Sequence, residues 1–310
     1  MKQLLLSLLL LCSLGISAQD GVVTRPKKQQ TTTTAPKQNS SQKPAAKKPS
    51  ATTSKPSSQH KPTVQSPTIG TSTYTPDVMT FTANGVSFQM VEVRGGTFRM
   101  GATSEQGSDA YDDEKPVHQV TLSSYYIGKY EVTQDLWQAV MGNNPSYFKG
   151  SRKPVERVRW GDCQTFISKL NSLTGNRFRL PTEAEWEFAS RGGTMSRGYK
   201  YSGSNTLSNV AWYRNNSNST THDVGMKSPN ELGLYDMTGN VFEWCSDWYD
   251  SYSSNSQTNP TGASGGYRRV NRGGSWSGGY DYAKLCHSSS RGCYTPFESS
   301  DIGLRLVLVP

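Results

Sequence analysis

The stretch Arg179-Leu-Pro-Thr-Glu-Ala-Glu-Trp186 decides the fold of this 310-residue chain. Thr182 precedes an apolar run, and Glu185 follows it three residues later. This arrangement is a capping box, so a helix is expected to begin after Thr182. Similar combinations of glycine, tryptophan and an ionisable residue occur in Gly239-Asn-Val-Phe-Glu-Trp244, in Arg272-Gly-Gly-Ser-Trp276 and, without tryptophan, in Gly303-Leu-Arg-Leu306.

Local patterns predict the neighbouring elements. One helix is expected from Thr133 to Met141, and a second is expected to have Asp162 as its N-cap and Gly175 as its C-cap. Strands at 91–93 and 97–100 flank Gly95-Gly96 and predict a hairpin. Further strands are expected at 117–122 and at 304–309. Short strands, few helices and long loops indicate the α+β class.

Together, the four quoted stretches resemble the formylglycine-generating enzyme (sulfatase-modifying factor) family, whose fold is a variant of the C-type lectin fold. The resemblance covers nearly all of residues 85–310. It implies one sulfatase-modifying-factor-like domain, which we place at residues 76–310. The family's oxidase converts a cysteine of client sulfatases to formylglycine.

The resemblance also implies a copper site made of two cysteines, which begins shortly after the Gly-Gly-Ser step. In this sequence those two positions hold Gly278 and Ala283. Cys286 and Cys293 lie further on and match neither the offset nor the spacing. They are open to interpretation as a redox pair, a local disulfide or two unrelated thiols, and Cu(I) prefers soft thiolate ligands. We therefore expect no copper and a pseudoenzyme.

A calcium site is implied for the loop that begins at Asp236. The resemblance places its ligands at the side chains of Asp236 and Glu243 and at the carbonyls of Gly239 and Val241. Calcium takes carboxylate and carbonyl oxygens, and an ion would hold the long loops in place. The alternative is a tight turn in which Glu243 pairs with an arginine.

The segments after Trp276 have the composition of a recognition loop. Small polar residues surround Tyr280, Tyr282, His287 and Tyr294, and tyrosine with serine and glycine is typical of adaptable binding surfaces. These four residues are our candidate ligand-binding surface. An ordinary polar loop is the alternative.

The N-terminal quarter of the chain has a different character. Residues 1–18 have a charged start, an apolar run and a small-residue end, as in a secretory signal peptide. Cys12 offers a lipoprotein alternative, but Leu11 is large where lipoprotein processing needs a small residue. Residues 19–75 are rich in Pro, Ser, Thr and Lys and are expected to be a disordered linker.

The charge distribution limits the classes of partner. Residues 1–75 contain ten Lys and Arg and one Asp, a net charge of +9, whereas residues 76–310 contain 23 of each sign. The domain is therefore not expected to bind nucleic acid, and no apolar run predicts an integral membrane protein.

We expect an exported protein, which would be periplasmic, on the outer surface or secreted. Its predicted function is that of a non-catalytic binding or scaffold module at the cell envelope, where its partner would be an envelope protein, a peptide or a glycan. A formylglycine-generating oxidoreductase is the alternative.

Overall fold

The computed structural model describes residues 74–278, 282–294 and 298–309, with only the backbone of Tyr282. The predicted signal peptide, nearly all of the predicted linker and Tyr280 lie outside the described residues. Within them, no helix has the length and apolar character needed to cross a bilayer.

Short strands and few helices make up the described part of the chain, as the sequence predicts. The strands are β1 (Val78–Ala83), β2 (Val86–Val93), β3 (Gly96–Met100), β4 (His118–Leu122), β5 (Tyr125–Gly128), β6 (Phe178–Arg179), β7 (Phe242–Trp248), β8 (Gln257–Thr258), β9 (Arg269–Arg272), β10 (Gly292–Tyr294), β11 (Ile302–Leu304) and β12 (Val307–Leu308). The helices are α1 (Gln134–Met141), α2 (Trp160–Thr174), α3 (Glu183–Ser190), α4 (Leu207–Val210) and α5 (Tyr282–Leu285).

Three sheets organise these strands. An antiparallel sheet has the order β1-β2-β5-β12-β6, a second has the order β10-β9-β7-β11, and a third has the order β3-β4-β8. Helices α1 and α2 pack against the first sheet around Trp137 and Phe166, whose rings stack with centroids 4.9 Å apart. Helix α3 packs on the second and third sheets, where Trp186 is fully buried.

The predicted helices form, with one shift at a terminus. Thr182 caps α3 and accepts a hydrogen bond from the backbone N–H of Glu185, and Gly175 ends α2 in the left-handed conformation. The N-cap of α2, however, is Arg159 rather than Asp162. Asp162 lies in the first turn and accepts from the backbone N–H of Arg159 at 2.9 Å. The earlier start places Trp160 on the helix, where its indole donates to the carbonyl of Cys245 at 2.9 Å.

Two predicted β features are wrong. Gly95-Gly96 does not close a hairpin, because β2 pairs with β1 and β5 whereas β3 pairs with β4 in another sheet. The strand expected at 304–309 is divided in two. β11 runs parallel to β7, and β12 runs antiparallel to β5. The division falls at Arg305, whose side chain is fully buried.

Candidate functional site

Two of the four sequence stretches quoted above, 179–186 and 272–276, meet in the interior between α3 and the second sheet. Glu183 and Glu187 come from α3, and Arg272 comes from the end of β9. The guanidinium of Arg272 is ion-paired with Glu187, and its Nε lies 3.5 Å from Oε1 of Glu183. All three side chains are buried, so the pairing neutralises charges that water cannot reach.

The positions where the resemblance implies cysteines hold Gly278 and Ala283. Gly278 is buried, and its carbonyl accepts from Arg214 at 3.3 Å. Ala283 is the second residue of α5 and packs against a small cluster that contains Tyr201 and Cys286. Neither position carries a group that can bind copper or react with oxygen.

The cysteines that the sequence does contain have separate surroundings. Cys286 is 1% exposed, and burial raises the pKa of its thiol to about 12. Cys293 is half-buried on β10, and its Sγ lies 3.7 Å from Arg268. Cys163 and Cys245 are buried in the apolar cores. These four thiols are all free, so no local disulfide joins Cys286 to Cys293.

A buried carboxyl cluster lies at the predicted calcium loop. It consists of Asp236 and Glu243 from the loop and its end, together with Glu131, and the guanidinium of Arg305 lies among these carboxyls. Nε of Arg305 lies 3.0 Å from each oxygen of Glu243, and Nη2 lies 2.7 Å from Oε1. The indole of Trp186 donates to Oε2 of Glu243 at 2.6 Å. The arginine pairing that was the alternative to calcium therefore exists in the structure, and it already neutralises the charge of Glu243.

The other two carboxyls of the carboxyl cluster have only neutral donors. Oδ2 of Asp236 accepts from the backbone N–H of Gly225 at 2.7 Å. Glu131 accepts from the Asn240 amide at 2.7 Å and from the Val241 N–H at 3.1 Å. Within the described part of the chain, neither has an ion-pair partner. Burial raises the pKa of Asp236 to about 6 and that of Glu131 well above its ordinary value.

Calcium fits this cluster by charge. With all three carboxyls ionised, the cluster and the Arg305 guanidinium would carry two negative charges, which a divalent cation would balance; without an ion, burial favours the protonated form of Glu131. Backbone hydrogen bonds also hold the loop, because the Gly239 N–H donates to the carbonyl of Gly273 at 2.8 Å and the Asn240 N–H donates to that of Trp212 at 2.7 Å. No group of three or more His, Cys, Asp or Glu converges as a metal site anywhere in the described residues. A calcium ion would therefore need the carbonyls of Gly239 and Val241 as well.

The predicted ligand-binding surface is only partly described. His287 does not contribute to it, because its side chain is 1% exposed and its ring packs 5.4 Å from that of Tyr201. The structure therefore corrects the predicted surface at His287, which lies in the interior. Burial and the nearby Lys200 lower the pKa of His287 to about 4. Tyr294 is exposed at the edge of the second sheet, whereas Tyr282 is described by its backbone alone.

Tyr294 belongs to a row of side chains that the sequence analysis missed. Tyr294 pairs across the sheet with Arg269, and Arg269 pairs with Trp248. The Arg269 guanidinium lies 3.4 Å from the ring centroid of Trp248 and 3.9 Å from that of Trp160. We call Trp160, Trp248, Arg269 and Tyr294 the arginine–tryptophan row. The alternation of side-chain direction along β9 is the sequence signal that could have indicated this row. The contact of Arg269 with Trp160 of α2 is not visible in the sequence.

Comparison with known proteins identifies the family. A family model described as the sulfatase-modifying factor enzyme 1-like domain matches residues 76–309. The chaperone protein LppX of Paenibacillus barcinonensis is 36% identical over 253 residues, which cover 65% of this chain and 83% of that protein. The formylglycine-generating enzyme of Thermomonospora curvata is 28% identical over 283 residues, which cover 68% of this chain and 90% of that enzyme.

A solved structure agrees with this assignment. Treponema denticola variable protein 1 is 37% identical, with a TM-score of 0.68, and the match covers 76% of this chain and 100% of that one. The resemblance predicted from the four sequence stretches is therefore confirmed. The chain belongs to the family of sulfatase-modifying factor enzyme 1-like domains and has their C-type lectin-like fold.

Proposed function

We propose that this chain is a non-catalytic binding domain that acts at the cell envelope. One observation carries the proposal: neither Gly278 nor Ala283 supplies a thiol where the family's oxidase holds copper. A copper oxidase needs two thiolates at one site. Cys286 remains protonated at neutral pH because burial raises its pKa to about 12.

Cys293 does not replace the missing partner. It lies on β10 beside Arg268, whereas Cys286 packs with Tyr201 and the apolar side chains of α4. A relocated copper site would require both thiols to leave these surroundings. The alternative function, formylglycine generation, is therefore less well supported.

A polypeptide partner agrees best with the chain's relatives and surface. One relative is named a chaperone protein, a name that implies contact with another polypeptide. In the arginine–tryptophan row, Tyr294 is exposed and the other three side chains are half-buried. Tyr267, two residues before Arg269 in the sequence, is 94% exposed. Aromatic and arginine side chains are the residues that contribute most to protein interfaces. Tyr280 and Tyr282 stay in the proposed binding surface on their sequence context alone.

Export and calcium are parts of the same proposal. Residues 1–18 would direct secretion, and residues 19–75 would be a basic tether between the envelope and the domain. Calcium would be a structural ion at Asp236 and the neighbouring carbonyls. The charge of the buried carboxyl cluster supports it.

The decisive experiment compares this chain with the Thermomonospora curvata enzyme under identical conditions. Both are incubated with Cu(I), oxygen and a cysteine-containing sulfatase peptide, and the peptide mass is followed. We expect formylglycine only from the comparison enzyme, and no stoichiometric Cu(I) on this chain. Tight Cu(I) binding that disappears in a Cys286→Ser/Cys293→Ser variant would overturn the proposal.

A further inference from the structure

A polar cavity of about 300 Å³ lies beside the N-terminus of α3. Its walls come from β4, from the first residues of α3, from the end of β7 and from the loop over residues 250–263. The ionisable side chains that line it are His118, Glu183, Asp247, Asp250, Tyr252 and Arg291. This volume is at the lower end of the range found for small-molecule sites.

Arg291 uses four of its five N–H donors within the protein. Its Nε and Nη2 donate to the two oxygens of Glu183 at 2.6 and 2.8 Å. Its Nη1 donates to the carbonyls of Asp113 and Asp250 at 3.1 and 2.9 Å. Its guanidinium also lies 3.9 Å from the ring centroid of Tyr252. The charges of Arg291 and Glu183 therefore cancel each other.

The charge of Asp247 is balanced only at longer range, by the guanidiniums of Arg269 and Arg179. Its side chain lines the cavity, although the residue is only 4% exposed. Oδ2 accepts from the backbone N–H of Glu183 at 3.0 Å and from the hydroxyl of Ser246 at 2.9 Å. Among residues 74–278, 282–294 and 298–309, no cationic side chain forms an ion pair with it. A buried carboxylate without a cation is costly, and a cationic ligand would remove that cost.

We propose that this cavity binds an organic cation whose primary ammonium group pairs with Asp247. The carboxylate of Asp250 at the rim disfavours an anion, whereas the charge of Glu183 is already cancelled by Arg291. The apolar wall at Met100, Ala184 and Ala263 suits a short methylene chain. A metal ion fits less well, because no three His, Cys, Asp or Glu side chains converge here in the described structure. The ligand class is therefore an alkylammonium ion, such as a lysine side chain or a small amine.

The experiment is a calorimetric titration of the folded domain with n-butylammonium chloride. n-Butanol is the neutral control, because it has the same chain without the charge. We expect saturable binding of the ammonium ion and none of the alcohol. Asp247→Asn, which keeps an oxygen to accept from the Glu183 N–H, should weaken binding at least about tenfold, the loss expected for one charged hydrogen bond.

Asp250→Asn is the matched control, because it removes a charge from the exposed rim of the same cavity. It should change affinity by less than about threefold, as surface charges do. Equal binding of butanol, or unchanged affinity in Asp247→Asn, would overturn the proposal.

A second measurement does not depend on any variant. Burial and Glu183 raise the pKa of Asp247 to about 7, so at pH 6 the ammonium ion must displace a proton. The binding heat should then vary with the ionisation enthalpy of the buffer, and a buffer-independent heat would contradict pairing with Asp247. His118, Glu183, Asp250, Tyr252 and Arg291 line the same cavity, and Asp250→Asn tests the exposed acid among them. Glu185, Arg179 and Arg269 act on Asp247 from neighbouring elements. This site does not depend on the proposed function.

Discussion

The guanidinium of Arg305 binds both carboxylate oxygens of Glu243 in the interior, with Nη2 2.7 Å from Oε1. Arg305 also donates to the carbonyls of Gly128 and Tyr235, each at 2.8 Å. One side chain from the C-terminal segment thus joins β5, the loop before Asp236 and β7. The residue that divides the last strand is a central polar contact of the domain.

Removing one member of this pair should destabilise the domain strongly. We expect Glu243→Gln or Arg305→Met to lower the free energy of unfolding by about 3–5 kcal/mol, because each leaves a buried charge unpaired. Urea unfolding followed by tryptophan fluorescence, with excess chelator present, measures the loss. Glu298→Gln is the control, because Glu298 pairs with Arg157 and Arg159 at the surface and should cost at most about 1 kcal/mol. Similar losses in the buried and exposed variants would contradict this assignment.

Gly274 tests the packing around Cys286. Its φ is +76°, and an added Cβ would lie 2.6 Å from the Sγ of Cys286. Gly274→Ala should therefore cost about 2–4 kcal/mol, from backbone strain and overpacking together. Gly142→Ala is the matched control, because Gly142 has φ +82° with open space around it. Its free energy of unfolding should fall only by the contribution of backbone strain, about 1 kcal/mol.

The double variant Gly274→Ala/Cys286→Ala separates the two contributions. Because it removes the sulfur atom, its loss should be smaller than the sum of the two single losses. A strictly additive result would show that Cys286 does not limit the space at Gly274.

Calcium should stabilise the domain through the buried carboxyl cluster. Adding Ca²⁺ to chelated protein should raise the Tm, by an amount that grows with the logarithm of the ion concentration. Asp236 has φ +56°, a conformation that asparagine tolerates, so Asp236→Asn should fold and show a smaller rise. An equal response to Mg²⁺, or no response to either ion, would contradict the calcium proposal.

Asp247 should make the stability of the domain depend on pH. Its folded-state pKa, about 7, is above the ordinary value of 3.8. Between these two values the unfolded chain has lost the proton and the folded chain retains it. The Asp247 contribution to stability therefore falls as pH rises from 4 to 7, with a slope of at most about 1.4 kcal/mol per pH unit.

Asp247→Asn should remove this slope. The variant should be more stable than the parent at pH 8, and the difference should disappear near pH 4. Unfolding curves of both proteins, measured between pH 4 and pH 8, test this expectation. Asp250→Asn should keep the parental slope, and loss of the slope in both variants would assign it to some other group.

Local sequence determined the helices and the family. The capping box at Thr182 and the glycine after α2 act over one helical turn, so short-range rules identified them. Gly278 and Ala283 are also visible without a structure, and they are the basis of the proposal that this chain holds no copper, because the family's copper site needs thiols at these positions. Asp236 and Glu243 were found through the resemblance, whereas Glu131, more than 100 residues away, was not.

The tertiary structure alone decided which groups meet. Sequence could not show that β2 and β3 belong to different sheets, because strand partners are set by long-range pairing. It could not show that His287 is buried, or that Asp247 has no ion-pair partner among the described residues, because burial and charge balance depend on neighbours from distant segments. Glu243 illustrates the dependence on burial and on charge balance. Its sequence context permits either calcium or an arginine as its partner, and only the tertiary structure shows that Arg305 lies beside it in the interior and forms an ion pair with it.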